Sequence, residues 1–76
     1  MYEILQIAKK IQLLNEDVKE IDEYLQYNEW GIAFEILCSS IEQNNMVISN
    51  EQYQIISQLG ERMEMDEELW AGLKRI

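Results

Sequence analysis

The sequence has no histidine, no proline, one cysteine, three glycines and only six basic residues in 76 positions. Without histidine it lacks the commonest metal ligand and the usual general base near neutral pH. With Cys38 alone, no internal disulfide can staple the fold. Gly31, Gly60 and Gly72 are scattered, so no glycine-rich phosphate loop exists. No apolar run approaches the roughly 20 residues of a membrane span. The start, Met1-Tyr2-Glu3-Ile4, lacks the basic lead and apolar stretch of a signal peptide, and a cytosolic location is the expectation.

Acid is abundant. Fifteen Asp and Glu against six Lys and Arg leave a net charge of −9. That balance disfavours nucleic acid and anionic lipid as partners, because phosphate binding draws on Lys and Arg. It favours association with basic protein surfaces, which a negative field steers inward. The same charge also fits plain solubility. With 47% hydrophobic residues the chain reads as folded, and its length permits one domain, residues 1–76. A chain this short buries only about 60% of its unfolded surface. Its core should therefore supply about 3–5 kcal/mol.

The periodicity is helical throughout. Ile4, Ile7, Ile11, Leu14, Val18, Ile21 and Leu25 alternate spacings of three and four. One long helix from Tyr2 to Tyr27 fits, and so do two helices broken near Asn15. The break is preferred. Asn15 is a good N-cap with Glu16 and Asp17 behind it, and two short helices bury more easily than one of nearly 40 Å. Asn28 reads as the cap of a helix running to about Gln43. Its apolar residues cover most of its circumference, which predicts a central position. Met46-Val47-Ile48 reads as an apolar connector. Ser49 with Gln52 forms a capping box, and Ile48 with Tyr53 a hydrophobic staple. Ile55, Ile56, Leu59 and Met63 are the expected inward face of that helix. Asp66 caps a last short helix carrying Leu69, Trp70 and Leu73, with Lys74 and Arg75 complementing its dipole. Trp30 and Trp70 are expected in the core. Ile32 and Ile36 are harder to bury with the rest, and are either covered by another helix or form an apolar patch for a partner. The architecture implied is an all-α bundle of four to five helices.

No catalytic constellation emerges. Cys38 has no histidine partner and lies one turn from Phe34 and Ile41, the setting of a core thiol. The acidic pairs lack calcium-loop spacing, and no metal or cofactor is expected. Glu29 and Glu35, six residues apart on a helix, do not face each other. The informative surface is on the second helix. Glu16, Glu20, Glu23 and Tyr27 follow a four-three-four spacing opposite Val18, Ile21 and Leu25, an acidic stripe ending in an aromatic. Exposed tyrosine is enriched in binding hot spots. Glu64, Glu67 and Glu68, with Asp66, form a second acidic cluster, although acids in a first helical turn also have a local reason to be there.

The segment Tyr27-Asn28-Glu29-Trp30-Gly31-Ile32-Ala33-Phe34-Glu35-Ile36-Leu37-Cys38 resembles the MafI-type immunity proteins of bacterial polymorphic toxin and contact-dependent inhibition systems. The residues that carry the resemblance are Glu29, Trp30, Gly31, Ala33, Glu35, Leu37 and Cys38. Ile48 to Tyr53 and Leu59 to Trp70 are similar in order and spacing, and the resemblance spans residues 16–73. It implies a small cytosolic antidote, not an enzyme, that binds the toxic C-terminal domain of a secreted toxin, often a nuclease. The expected contact surface is Glu16, Glu20, Glu23 and Tyr27, assisted by Glu64, Glu67 and Glu68. The competing expectation is a helical adaptor whose Ile4-to-Leu25 face mediates oligomerisation. A third is an acidic mimic of DNA that inhibits a nucleic-acid enzyme.

Overall fold

The apolar period breaks where the sequence suggests, after the third turn. In the computed structural model, which describes residues 2–76, α1 spans Tyr2–Ile11 and α2 spans Asn15–Gln26. Then follow α3 (Trp30–Gln43), β1 (Val47–Ile48), α4 (Asn50–Arg62), α5 (Glu68–Ala71) and β2 (Lys74–Arg75). The fold is an all-α bundle with one two-stranded parallel ribbon. At the α1–α2 break Leu13 turns into the core while Leu14, a member of the apolar period, turns out to solvent.

Four helices end the same way. Gln12, Asn28, Asn45 and Glu64 each take a left-handed φ, between 52° and 65°. Each amide bonds back to the carbonyl three residues earlier, and the next amide bonds five residues back, as in Leu13 N–H to Ala8 O at 3.2 Å and Met65 N–H to Gly60 O at 2.9 Å. These are Schellman closures, which satisfy helix carbonyls that otherwise have no partner. None uses glycine.

This pattern corrects two expected caps. Asn28 closes α2 rather than opening α3, and the N-cap position of α3 falls to Glu29, which makes no side-chain cap bond. Asn15 is the first helical residue of α2, and Leu14 holds the cap position without a side-chain bond. In both places the preceding closure sets the chain direction, so the cap side chain is not needed for the turn. Ser49 does form its capping box. Gln52 N–H donates to Ser49 Oγ at 3.0 Å, and Ser49 N–H to Gln52 Oε1 at 2.9 Å. At α5 the cap position falls to Glu67, which makes no side-chain cap bond, and Asp66, the expected cap, stands one residue earlier and accepts from Glu68 N–H at 3.0 Å.

Helix α3 is central, packing against α1, α2 and α5. Phe34, Leu37 and Ile41 are fully buried, with Ile4, Ile21, Ile48, Ile56 and Leu59 around them. Trp70 lies edge-on to Phe34, ring centroids 5.8 Å apart. Trp30 departs from expectation and is 43% exposed. It opens α3 a full turn before Phe34, short of the layer that Phe34 and Trp70 fill. Ile55 is also exposed, because Ile56 next to it, about 100° round the helix, takes the inward direction.

The chain end is the other correction. Lys74 and Arg75 do not sit in a helix. They pair with Val47 and Ile48, and Ile76 N–H donates to Ile48 O at 3.0 Å. Ile48 is buried, so its backbone polar groups need partners, and the tail supplies them. The Arg75 guanidinium stacks over the Tyr53 ring at 3.9 Å. Among the described residues one ion pair is present, Arg62 to Glu3 at 3.4 Å, joining α4 to α1. Both side chains are about half exposed, so its net contribution is small.

Candidate functional site

Helix α2 buries one residue, Ile21, and leans the rest of its apolar side partly on α3. Its remaining circumference is open. Glu16, Glu20, Glu23 and Tyr27 are all exposed and line a single shallow depression of about 540 Å³, with Lys19 and Tyr24 on its walls. The stripe therefore exists as one surface, and Tyr27 at its end is 77% exposed. Lys19 stands within it and offsets part of its charge.

A second, open groove runs between α2 and α3 and reaches Leu69 of α5. Its volume is about 470 Å³. Asp17 and Glu20 of α2 and Glu35 of α3 edge it, and Ile32, Ile36 and Leu69 supply its apolar floor. Past Glu35, Ser39 and Gln43 it continues into a smaller depression reaching Glu42 and Glu68. Glu20 belongs to both surfaces, so the α2 stripe and this groove form one acidic face. No Lys or Arg lines the groove or its continuation.

A part-buried hydrogen bond joins the two walls. Ser40 Oγ donates to Asp17 Oδ2 at 2.5 Å, and Asn44 Nδ2 donates to the Ser40 carbonyl at 2.8 Å. Ser40 is the one buried polar residue among those described. A polar group out of water must be paired, so this bond helps set how α2 lies on α3. Cys38 lies beneath the continuation, buried. Burial, and then the nearby Glu35 and Glu42 carboxylates, push its thiol pKa up to about 12. At neutral pH it is a protonated, unreactive core group. Among the described residues, no three of Cys, Asp and Glu are grouped so that they could hold a metal ion.

Comparison of the chain with protein-family models, curated proteins and solved structures finds no match in any of the three. The geometry therefore has to carry the functional reading.

The structure sorts the acids expected at the site into groups. Glu16, Glu20, Glu23 and Tyr27 come together on α2. Glu68 lies at the far end of the α3 groove. Glu64 and Glu67 are exposed and line neither surface; Glu64 occupies the left-handed closure of α4 and Glu67 the cap position of α5. Asp17, Glu35 and Glu42 are the acids that sequence reasoning left out. Their spacing along the chain gives no sign of convergence, since Asp17 and Ser40 are 23 residues apart. The only available signal was the outward side of α3. Ile32 and Ile36 stood out there as difficult to bury, and Glu35 lies between them.

Proposed function

We propose that this chain is an immunity protein that neutralises a basic toxin domain by direct contact through its acidic face. The observation that carries the reading is the continuity of that face. Glu16, Glu20, Glu23 and Tyr27 on α2 run into a groove edged by Asp17 and Glu35 and floored by isoleucine and leucine. Such a surface combines long-range steering with an apolar centre that can be desolvated, the two requirements of fast and tight inhibition. An antidote needs no catalytic group.

The likeness to MafI-type immunity proteins supports the same reading and acquires a physical interpretation. Of the residues that carry it, Ala33, Leu37 and Cys38 face the core, whereas Glu35 faces the groove. A cytosolic location belongs to this proposal; among the described residues no helix is long and apolar enough to cross a membrane. The adaptor reading loses much of its proposed surface. Ile4, Ile7, Ile11 and Ile21 are consumed by the chain's own core, Val18 and Leu25 are half-buried, and Leu14 alone of that face is exposed.

The test is co-expression with the C-terminal domain encoded immediately upstream, scored by growth rescue and co-purification. Rescue with a stable complex is expected. In the folded double variant Glu20→Lys/Glu23→Lys, association should slow by about tenfold or more at low salt. Unchanged association would remove the α2 stripe from the interface.

A further inference from the structure

The groove between α2 and α3 differs from the α2 stripe in its lining, which includes the aliphatic side chains of two further helices. Ile32 and Ile36 stand one turn apart on α3, and Leu69 of α5 closes the row. Ile32 is 40% exposed, with no helix of this chain covering it. We infer that this groove receives one basic amphipathic helix of the partner protein, lying along α3 with its apolar side on Ile32, Ile36 and Leu69. The inference rests on the neutralising function proposed above and names the element of the partner that docks.

Charge selects the occupant. Asp17, Glu20 and Glu35 edge the groove without a neighbouring cation in its walls, whereas the α2 stripe contains Lys19 and the depression between α1 and α4 contains Lys9 and Lys10. Lysine or arginine flanking an apolar row complements this arrangement. Length selects it as well. The lining runs along α3 from Ile32 to Gln43, which at 1.5 Å per residue is about 16 Å, or three helical turns. A helix of that length places apolar side chains one turn apart, in step with Ile32 and Ile36. Other occupants fit less well. A phosphate backbone, or a surface imitating one, has no use for an isoleucine floor. A second copy of this chain carries −9 itself and would be repelled. An extended strand needs an open sheet edge, and the groove is walled by helices.

The probe is a synthetic helical peptide of about 14 residues with one leucine row flanked by lysines, paired with a scrambled peptide of the same composition. Binding is measured by calorimetry at about 0.15 M salt, and the contacted residues by amide chemical shifts. The ordered peptide should bind with a micromolar Kd, about tenfold tighter than the scrambled one. Shifts should centre on Ile32, Ile36 and Leu69. Ile32→Ser and Glu35→Lys, both at exposed positions, should each weaken binding by about fivefold or more, while Glu61→Lys, the same charge change on α4 and outside both linings, changes it less than about twofold. Equal binding of the two peptides, or shifts confined to Glu16–Tyr27, overturns the inference. So does a dimer of the free protein that Ile32→Ser dissolves, which would make a second copy the occupant. Growth rescue separates the two levels. Failure of the unmodified chain to rescue removes the neutralising function, whereas rescue that persists undiminished in Ile32→Ser/Glu35→Lys removes the groove alone.

Discussion

Replacing Gly60 with alanine sets two effects of opposite sign against each other. Glycine inside a helix is about 1 kcal/mol less favourable than alanine, and Gly60 lies within α4, so propensity alone predicts a gain in stability. Packing predicts a loss. A Cβ at Gly60 would stand 2.2, 2.5 and 2.8 Å from Cζ3, Cη2 and Cε3 of Trp70, where carbon atoms at rest keep about 3.5–4.0 Å. The ring must retreat by more than 1 Å, by order of magnitude. It has little room to do so. Trp70 is 3% exposed, and its ring lies edge-on to the fully buried Phe34. Overpacking of this kind costs about 1–3 kcal/mol, and disturbing the edge-on aromatic pair adds up to about 1 kcal/mol.

With the helix gain of about 1 kcal/mol subtracted, Gly60→Ala should destabilise the fold by up to about 3 kcal/mol, a large part of what a core of this size supplies. Urea unfolding followed by circular dichroism reads this as a lower midpoint with an unchanged slope. In a Trp70→Leu background the obstacle is gone, and Gly60→Ala should then recover its helix-propensity gain of about 1 kcal/mol. If alanine stabilises the protein with Trp70 in place, the close packing of α4 on α5 is refuted.

Two further outcomes follow from the helix ends and the thiol. Gln12→Gly and Glu64→Gly should each stabilise by about 0.5–1 kcal/mol in thermal unfolding, because the left-handed φ strains a side chain, while Asn28→Gly and Asn45→Gly should gain less because asparagine tolerates that region. Cys38 should resist alkylation in the native state, with on the order of a thousandfold less thiolate than an ordinary thiol, and react on unfolding in urea. Its raised pKa favours the folded state below the ordinary thiol range. That contribution is lost as pH rises from about 9 toward 12, so an unfolding midpoint that is flat over this interval counts against the burial of the thiol.

What could be read along the chain was local. The 3.6-residue period and the dense apolar run place a helix from just after Asn28 to about Gln43, one residue from the observed start of α3 at Trp30, and the Ser49–Gln52 spacing locates the start of α4. The break between α1 and α2 was visible in the length of the pattern. The missing parts depend on backbone geometry or on residues far apart in sequence. Gln12 and Glu64 give no compositional sign of a left-handed closure, and Asn28 serves an N-cap and a C-terminal closure equally well in the abstract. The β1–β2 ribbon joins Val47 to Lys74, a register that no local pattern specifies. The site divides likewise. The stripe on α2 lies on one helix and was visible as spacing. The groove requires α2 laid on α3, by its apolar side and the Asp17–Ser40 bond together, so Asp17 and Glu35 become site residues only through packing.

The acidic face has a cost that can be isolated at one residue. On α2, Glu20 stands one turn from Glu16, Asp17 and Glu23. Like charges at these spacings destabilise by about 0.2–0.5 kcal/mol per pair, and opposite charges stabilise by a similar amount. Glu20→Lys converts three repulsions into attractions, with Glu16 in the favourable N-terminal position, and should stabilise the free protein by about 1 kcal/mol or more. For a domain of this size that raises Tm by about 4–8 °C. Added salt should raise the Tm of the unmodified chain in the same direction, since screening relieves the same repulsion, and should do so less in the variant. Binding should respond with the opposite sign. Glu20 edges both the stripe and the groove, so the stabilised variant should associate more slowly with a basic partner. A surface whose charges serve only solubility shows the first effect without the second. Measuring Tm and association rate on this one substitution therefore separates a face held in repulsion for a partner from one that is merely solvated.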